Sequence, residues 1–246
     1  MKRTLFFLLC LLMLTACETV ENKVDVKTYS NLNLRVYTPQ FSAIGLRCQT
    51  MPGKEEESVI YVAEAAFTEA RLDTFFHANI DGNHVSDGVW YEGAPCVETP
   101  QKVGNTGGFV WYNGAYQFFA DTASAEQALR LAAENGGMGF RQETIIHKGK
   151  YVRNTRTENP RYNRVEIYRV LAELDGRLCI IENIDPVPFS EFLPALQALQ
   201  VTEALYMDMG NGWNYSWYRL ADGSVREIHP VHYKCRYCTN WIVFYM

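Results

Sequence analysis

Residues 204–219 read Ala-Leu-Tyr-Met-Asp-Met-Gly-Asn-Gly-Trp-Asn-Tyr-Ser-Trp-Tyr-Arg. Asp208 closes a short apolar run and precedes a glycine-rich loop, a place where a carboxylate can be desolvated and aimed at a ligand. Trp213, Trp217 and Tyr218 follow, interleaved with Asn211, Asn214 and Arg219. Flat rings suit the face of a pyranose and amides suit its hydroxyls, so the expected ligand is a carbohydrate. Two further segments carry more polar groups than packing needs: His77, Asn79 and His84 in one, Asn105 and Thr106 in the other. His229, His232, Cys235 and Cys238 have a spacing that zinc could use. That stretch also alternates like a strand and has no second Cys-x-x-Cys, so a disulfide or free thiols are expected there, and no metal or cofactor.

Other signatures are absent. The chain has no Gly-x-Ser-x-Gly, no His-Glu-x-x-His and no phosphate-binding loop ending in Gly-Lys-Ser/Thr. Residues 136–139 are glycine-rich but follow a helical pattern, which makes them a helix stop. A formal net charge of −5 without a Lys/Arg stripe argues against nucleic acid as a partner. Hydrophobic residues at 48% and aromatics at 13% require a packed core rather than a disordered chain.

The amino terminus has a positive start at Lys2 and Arg3, an apolar stretch over 4–14, and then Leu14-Thr15-Ala16-Cys17. This string resembles the bacterial lipobox, whose cysteine becomes the lipid-modified first residue of the mature protein. The expected organisation is a signal peptide over 1–16, a tether over 17–29 lipidated at Cys17, and one domain over 30–246. Acyl chains gain about 0.8 kcal/mol per buried methylene, so the membrane becomes a partner through the anchor. Glu18 after the cysteine is similar to sorting patterns for the outer membrane.

The elements that must position these residues are mostly strands. Apolar residues alternate over 31–50, and 59–67 is a nearly continuous apolar run that fits a buried strand. Asn113-Gly114, Lys148-Gly149-Lys150 and Asp175-Gly176 each separate two strand-like runs and predict hairpins. Ser124 is the expected N-cap of a helix over 125–134, and Ser190 starts a second over 191–200 with Pro194 in its first turn. Short strands are expected over 204–207 and 241–245. The predicted fold is α+β: a single domain with a strand-rich mixed sheet and two or three helices packed on it.

Several of these segments, in this order, resemble the phosphodiester glycosidase family over about residues 57–246. Family members carry an Asn-Gly-Gly-aromatic turn, a Gln-x-Gly-Pro segment before a hairpin, an arginine ahead of an Asp-Gly hairpin, and a strand ending in Leu-Asp-Gly-Gly before a serine. Here residues 140–150, with Gln142 and Glu143, look like the glutamine segment, and Arg169 before Asp175-Gly176 looks like the arginine, with Arg164 as the other match. Met207-Asp208-Met209-Gly210 stands in place of Leu-Asp-Gly-Gly. Glu64-Ala65-Ala66-Phe67 or Asn79-Ile80-Asp81-Gly82 takes the place of the asparagine turn. The resemblance implies hydrolysis of a glycosyl phosphodiester. Arg169 would bind the phosphate through its planar fork, Asp208 would orient the sugar or activate water, and Glu143 or Glu64 would be the second carboxylate. His77, Asn79, His84, Asn105, Thr106, Gln142, Asn211, Trp213, Asn214 and Arg219 would line the pocket. A noncatalytic glycan-binding lipoprotein of the same fold is the other expectation.

Overall fold

Four tight turns organise the strands. Asn113-Gly114, Lys148-Gly149 and Asp175-Gly176 have φ of 52° and 74°, 52° and 70°, and 53° and 69°. Positive φ at both central residues is what a two-residue type I′ hairpin requires, and it explains the Asn/Asp/Lys-Gly pairs. Asp87-Gly88, at 50° and 74°, is a fourth such turn.

The computed structural model describes residues 23–68, 80–94, 107–153, 156, 159–210, 214–232 and 240–246. A seven-stranded sheet runs in the order β1 (Val24–Tyr29), β2 (Leu34–Pro39), β14 (Arg177–Asn183), β13 (Arg169–Leu174), β16 (Glu203–Tyr206), β10 (Thr144–His147), β11 (Lys150–Tyr151). A five-stranded sheet follows the order β18 (Val225–His229), β17 (Ser216–Arg219), β4 (Val59–Glu64), β19 (Asn240–Tyr245), β3 (Ala43–Cys48). A second five-stranded sheet is β6 (Val89–Tyr91), β5 (His84–Ser86), β9 (Met138–Gln142), β7 (Gly107–Tyr112), β8 (Ala115–Phe119). The pair β12 (Val165–Glu166) and β15 (Val187–Pro188) stands apart. Among the described residues the α-helices are α1 (Thr122–Glu134) and α2 (Phe189–Ala198).

The protein is thus mostly β, with antiparallel pairing between its strands. This corrects the expected single mixed sheet; the parallel contact among the described residues is the isolated bridge Asp81 to Ala94.

Period-2 alternation divides the core. Val170, Ala172, Cys179, Ile181 and Ala204 pack on Phe189, Phe192 and Leu196 of α2. Their neighbours Leu171, Ile180 and Leu205 face the other way, into a cluster with Ile60, Ile242 and Phe244 of the first five-stranded sheet. Val59, Val62, Trp217, Trp241 and Val243 form a third cluster on that sheet's opposite side. The central strands β13, β14 and β16 of the seven-stranded sheet, and β4, are therefore buried on both faces, which accounts for the unbroken apolar run of β4.

Three boundaries differ from expectation. Residues 24–29 are no tether: β1 pairs along its length with β2, from Val24 opposite Pro39 to Tyr29 opposite Leu34. As an edge strand it carries Asp25 and Lys27 on a solvated side, and that polarity imitated a linker. The N-cap of α1 is Asp121, whose carboxylate accepts the Ser124 N–H at 2.9 Å. In α2 the helix begins at Phe189, so Pro194 falls in its second turn. The signal peptide and Cys17 lie outside the described residues, as do Cys96, Cys235 and Cys238.

Candidate functional site

Three main-chain bonds tie the strand ends together. Past the end of β16, Asp208 N–H donates to Ala65 O at 2.9 Å, Met207 N–H to Arg169 O at 3.0 Å, and Tyr206 N–H to Glu143 O at 2.9 Å. Asp208, Glu64, Arg169 and Glu143 are thereby gathered from β16, β4, β13 and the β9–β10 junction. Ser216 opens β17 and His229 closes β18, directly opposite each other at the same end.

Arg169 is the hub. It is fully buried; Nε donates to Glu182 Oε1 at 2.6 Å, and Nη2 donates to Ser216 Oγ at 2.6 Å and Asn214 O at 3.3 Å. Among the described residues Nη1 has no hydrogen-bond partner. Desolvation opposes the guanidinium charge, yet Glu182, Tyr61 and Glu64 outweigh it, and the pKa is raised. Glu182 Oε2 lies 3.0 Å from His229 Nε2. Burial pushes the Glu182 pKa up, but Arg169 and His229 together hold it well below the carboxylate range. Glu64 Oε1 accepts the Tyr215 N–H at 3.2 Å, closing the floor between β4 and β17.

Asp208 lies beside this hub. Its Oδ1 accepts the Gly210 N–H at 2.9 Å, which fixes the carboxylate against its own backbone two residues on. Desolvation pushes its pKa up to about 7; the Gly210 N–H, Arg156 and Arg169 act against that rise, and the Asp81 carboxylate adds to it. Arg156 sits 3.6 Å from the ring centre of Tyr206 and 3.6 Å from Glu143 Oε2. Gln142 is fully buried; its Oε1 accepts the Glu143 N–H at 2.9 Å, while its Nε2 has no partner. A carboxyl that exchanges its proton near neutrality, surrounded by fixed charges and unused donors, is equipped for proton transfer to a bound polar ligand.

Of the residues singled out in the sequence, Asp208, Arg169, Glu143, Glu64, Gln142 and Asn214 come together. Three readings are corrected. Arg219 is a structural pin: Nε donates to Val59 O, Nη1 to Gly223 O, and Nη2 to Lys54 O and Glu56 O. It holds the start of β4 while Glu64 stands at the end, about 17 Å away along a strand. Trp217 and Tyr218 are buried in the two clusters on either side of β17, so they form no sugar platform. His84 is fully buried in the β5–β9 sheet and stacks on Tyr91 at 5.5 Å, a packing role. Arg169 keeps its place in the site, but its fork is taken by Glu182 and Ser216, so two-pronged phosphate binding is not open to it. His77, Asn79, Asn105, Thr106, Asn211 and Trp213 lie outside the described residues.

Sequence reasoning missed Glu182, Ser216, Arg156 and Asp81, and considered His229 only as part of a zinc-like spacing that it set aside. Glu182 had a usable signal: Arg169 and Glu182 are equidistant from the Asp175-Gly176 turn, and a two-residue hairpin makes them partners. The others meet the site through contacts between sheets, which no local pattern encodes.

No family model and no curated protein matches this chain. A crystal structure of a hypothetical protein from Synechocystis is similar, with a TM-score of 0.56 and 12% identity over 92% of this chain. The match covers 62% of that protein, so this chain spans less than two thirds of its length. At that identity the likeness is one of fold.

Proposed function

We propose that this protein is a membrane-anchored hydrolase that releases a sugar from a glycosyl phosphodiester or related envelope glycan, as its resemblance to phosphodiester glycosidases implies. The observation that carries the reading is Asp208: a buried carboxyl at a strand end, its pKa pushed up to about 7, beside the Arg156–Glu143 pair and within the field of Arg169. Asp208 moves the proton; Glu143 and Glu64 are the further carboxylates, and Gln142 Nε2 and Arg169 Nη1 are the unused buried donors available to sugar or phosphate oxygens. Asn214, and by their side-chain chemistry Asn211 and Trp213, would contact the sugar. The catalytic unit is one α+β domain, carried on a lipidated Cys17 at the periplasmic or outer face of the outer membrane.

Sugar release from a panel of synthetic glycosyl phosphodiesters, by protein lacking residues 1–17, tests this. Turnover is expected, and Asp208→Asn should abolish it while leaving the fold intact. An unchanged rate in the variant removes Asp208 from the mechanism. A noncatalytic glycan-binding role is favoured by one observation, the closed pairing of Arg169 with Glu182 and Ser216. Saturable sugar binding with no product from any diester would establish it. Cys17→Ser should release the full chain from the membrane fraction; retention there would refute lipid anchoring.

A further inference from the structure

One irregularity in the sheet aims a side chain at the hub. Along the β17–β18 pair the register runs Arg219 to Val225, Tyr218 to Arg226 and Trp217 to Glu227, then jumps to Ser216 opposite His229. Ile228 is the extra residue of a β-bulge. Ile228 packs with the inner core cluster, and His229 reaches Glu182 on that same inner side. In an unbroken strand consecutive residues face opposite ways, so without the bulge His229 would turn away from Glu182. Bulges re-aim side chains in this manner next to active sites.

The bulge delivers the ring into a fixed setting. Glu182 Oε2 lies 3.0 Å from Nε2, and Glu182 is itself locked by Arg169 Nε at 2.6 Å. A carboxylate can only accept there, so Nε2 carries the hydrogen, and in the neutral ring the Nδ1 lone pair points the other way. Nδ1 faces the side-chain Nδ2 of Asn214 at 3.4 Å, a long contact that a stronger donor can displace. The His229 side chain is 19% exposed, so of the Arg169–Glu182–His229 chain it is the member that reaches solvent. A buried carboxylate fixing one ring nitrogen so that the other can take a proton is the arrangement that activates nucleophiles in hydrolases.

We infer that His229 is the general base of this site, activating water through Nδ1, with Glu182 as its positioning residue. This rests on the hydrolase reading above and divides the labour in it, for Asp208 then serves as the acid. In the step, the water oxygen bonds to the anomeric carbon while its proton passes to Nδ1. The bond from that carbon to the phosphate oxygen breaks, the electron pair stays on the oxygen, and the Asp208 proton neutralises it. Solvent then carries a proton from the imidazolium back to the Asp208 carboxylate.

The test combines kinetics with imidazole nitrogen NMR on protein lacking residues 1–17. His229→Gln keeps a donor for Glu182 but has no second nitrogen. It should lower kcat by about 100-fold or more, with KM within about twofold of wild type. His229→Ala should recover rate when imidazole is added, a response that a purely structural histidine would not give. In the wild type, the ring nitrogens should show hydrogen on Nε2 and a lone pair on Nδ1. A folded His229→Gln variant with unchanged kcat, or a ring with hydrogen on Nδ1 in an active enzyme, overturns the base role alone. A wild type that turns over no phosphodiester overturns the hydrolase reading and the base role together.

Discussion

Asp208→Asn should stabilise the protein by more at pH 8 than at pH 5. The residue is 8% exposed, and burial, working against the Gly210 N–H and the charges of Arg156 and Arg169, pushes its pKa from 3.8 up to about 7. Between those values the folded chain holds a proton that the unfolded chain has released. Unfolding free energy therefore falls as pH rises through this window, by about 1.4 kcal/mol per pH unit at its steepest, and flattens above the folded pKa. Asparagine retains an oxygen for the Gly210 N–H and does not titrate, so it removes the slope. From pH 5 to pH 8 the gap between variant and wild type should widen by about 2.5 kcal/mol in favour of the variant. Urea unfolding of both proteins across that range measures it, and other titrating groups cancel in the difference. A gap constant to within about 0.5 kcal/mol would mean that Asp208 ionises as an ordinary solvated carboxylate, and its part as proton carrier would fall.

Other substitutions separate the site from its scaffold. Glu182→Gln leaves the Arg169 guanidinium buried without its nearest counter-charge and should cost about 3–5 kcal/mol in chemical unfolding; a loss below about 1 kcal/mol would show that Glu64 balances Arg169 by itself. Arg219→Met strips four carbonyls of their donor and should cost about 2–4 kcal/mol while leaving kcat of the folded enzyme unchanged, because the pin is at the far end of β4. A fall in kcat at constant fold would return Arg219 to the site. Gly107→Ala places a Cβ 1.7 Å from Thr144 Oγ1 and 2.5 Å from Phe119 O. Backbone on one side cannot give way, so a loss of about 3 kcal/mol is expected, read as a drop in Tm.

The turns were the most legible part of the fold because a two-residue hairpin needs positive φ twice, and few residue pairs tolerate that. Asn113-Gly114 and Asp175-Gly176 act as read, while at Lys148-Gly149 the turn is one residue shorter than expected, because Lys150 already pairs with His147. The position of Asp208 was legible for a related reason: a buried run ending in an acid and glycine leaves the acid at a strand end. Misreadings arose where one pattern serves two structures. In Trp217-Tyr218-Arg219 each face of β17 meets a different apolar cluster, so consecutive aromatics imitate a ligand platform while packing on both sides. Residues 24–29 are polar because β1 is an edge. The Arg156 stack on Tyr206 and the Glu182–His229 contact join residues 50 and 47 positions apart, and such pairings follow from how the layers stack.

Charge makes the sharpest demand on an anionic substrate. Glu64, Asp81, Glu143, Glu182 and Asp208 all act on the two guanidiniums of the site or on each other. Arg169 is paired with Glu182 and Arg156 with Glu143, and burial makes the charge of Asp208 the costly one. A phosphodiester approaching an ionised Asp208 would be repelled, and the low dielectric of a buried site magnifies the cost. Protonating Asp208 removes that charge at the point where, in the proposed reaction, the leaving oxygen would need its proton. Substrate binding and Asp208 protonation are thereby linked: the anion raises the carboxyl pKa further, and the proton raises affinity for the anion by the same factor. The dissociation constant of a nonhydrolysable glycosyl phosphonate should rise as pH passes about 7, whereas that of the neutral sugar should stay flat. Titration calorimetry of both ligands from pH 5.5 to 8.5 measures this directly. Parallel curves would mean that the anion is held away from Asp208, and the acid would then have to be sought on the far side of Arg169.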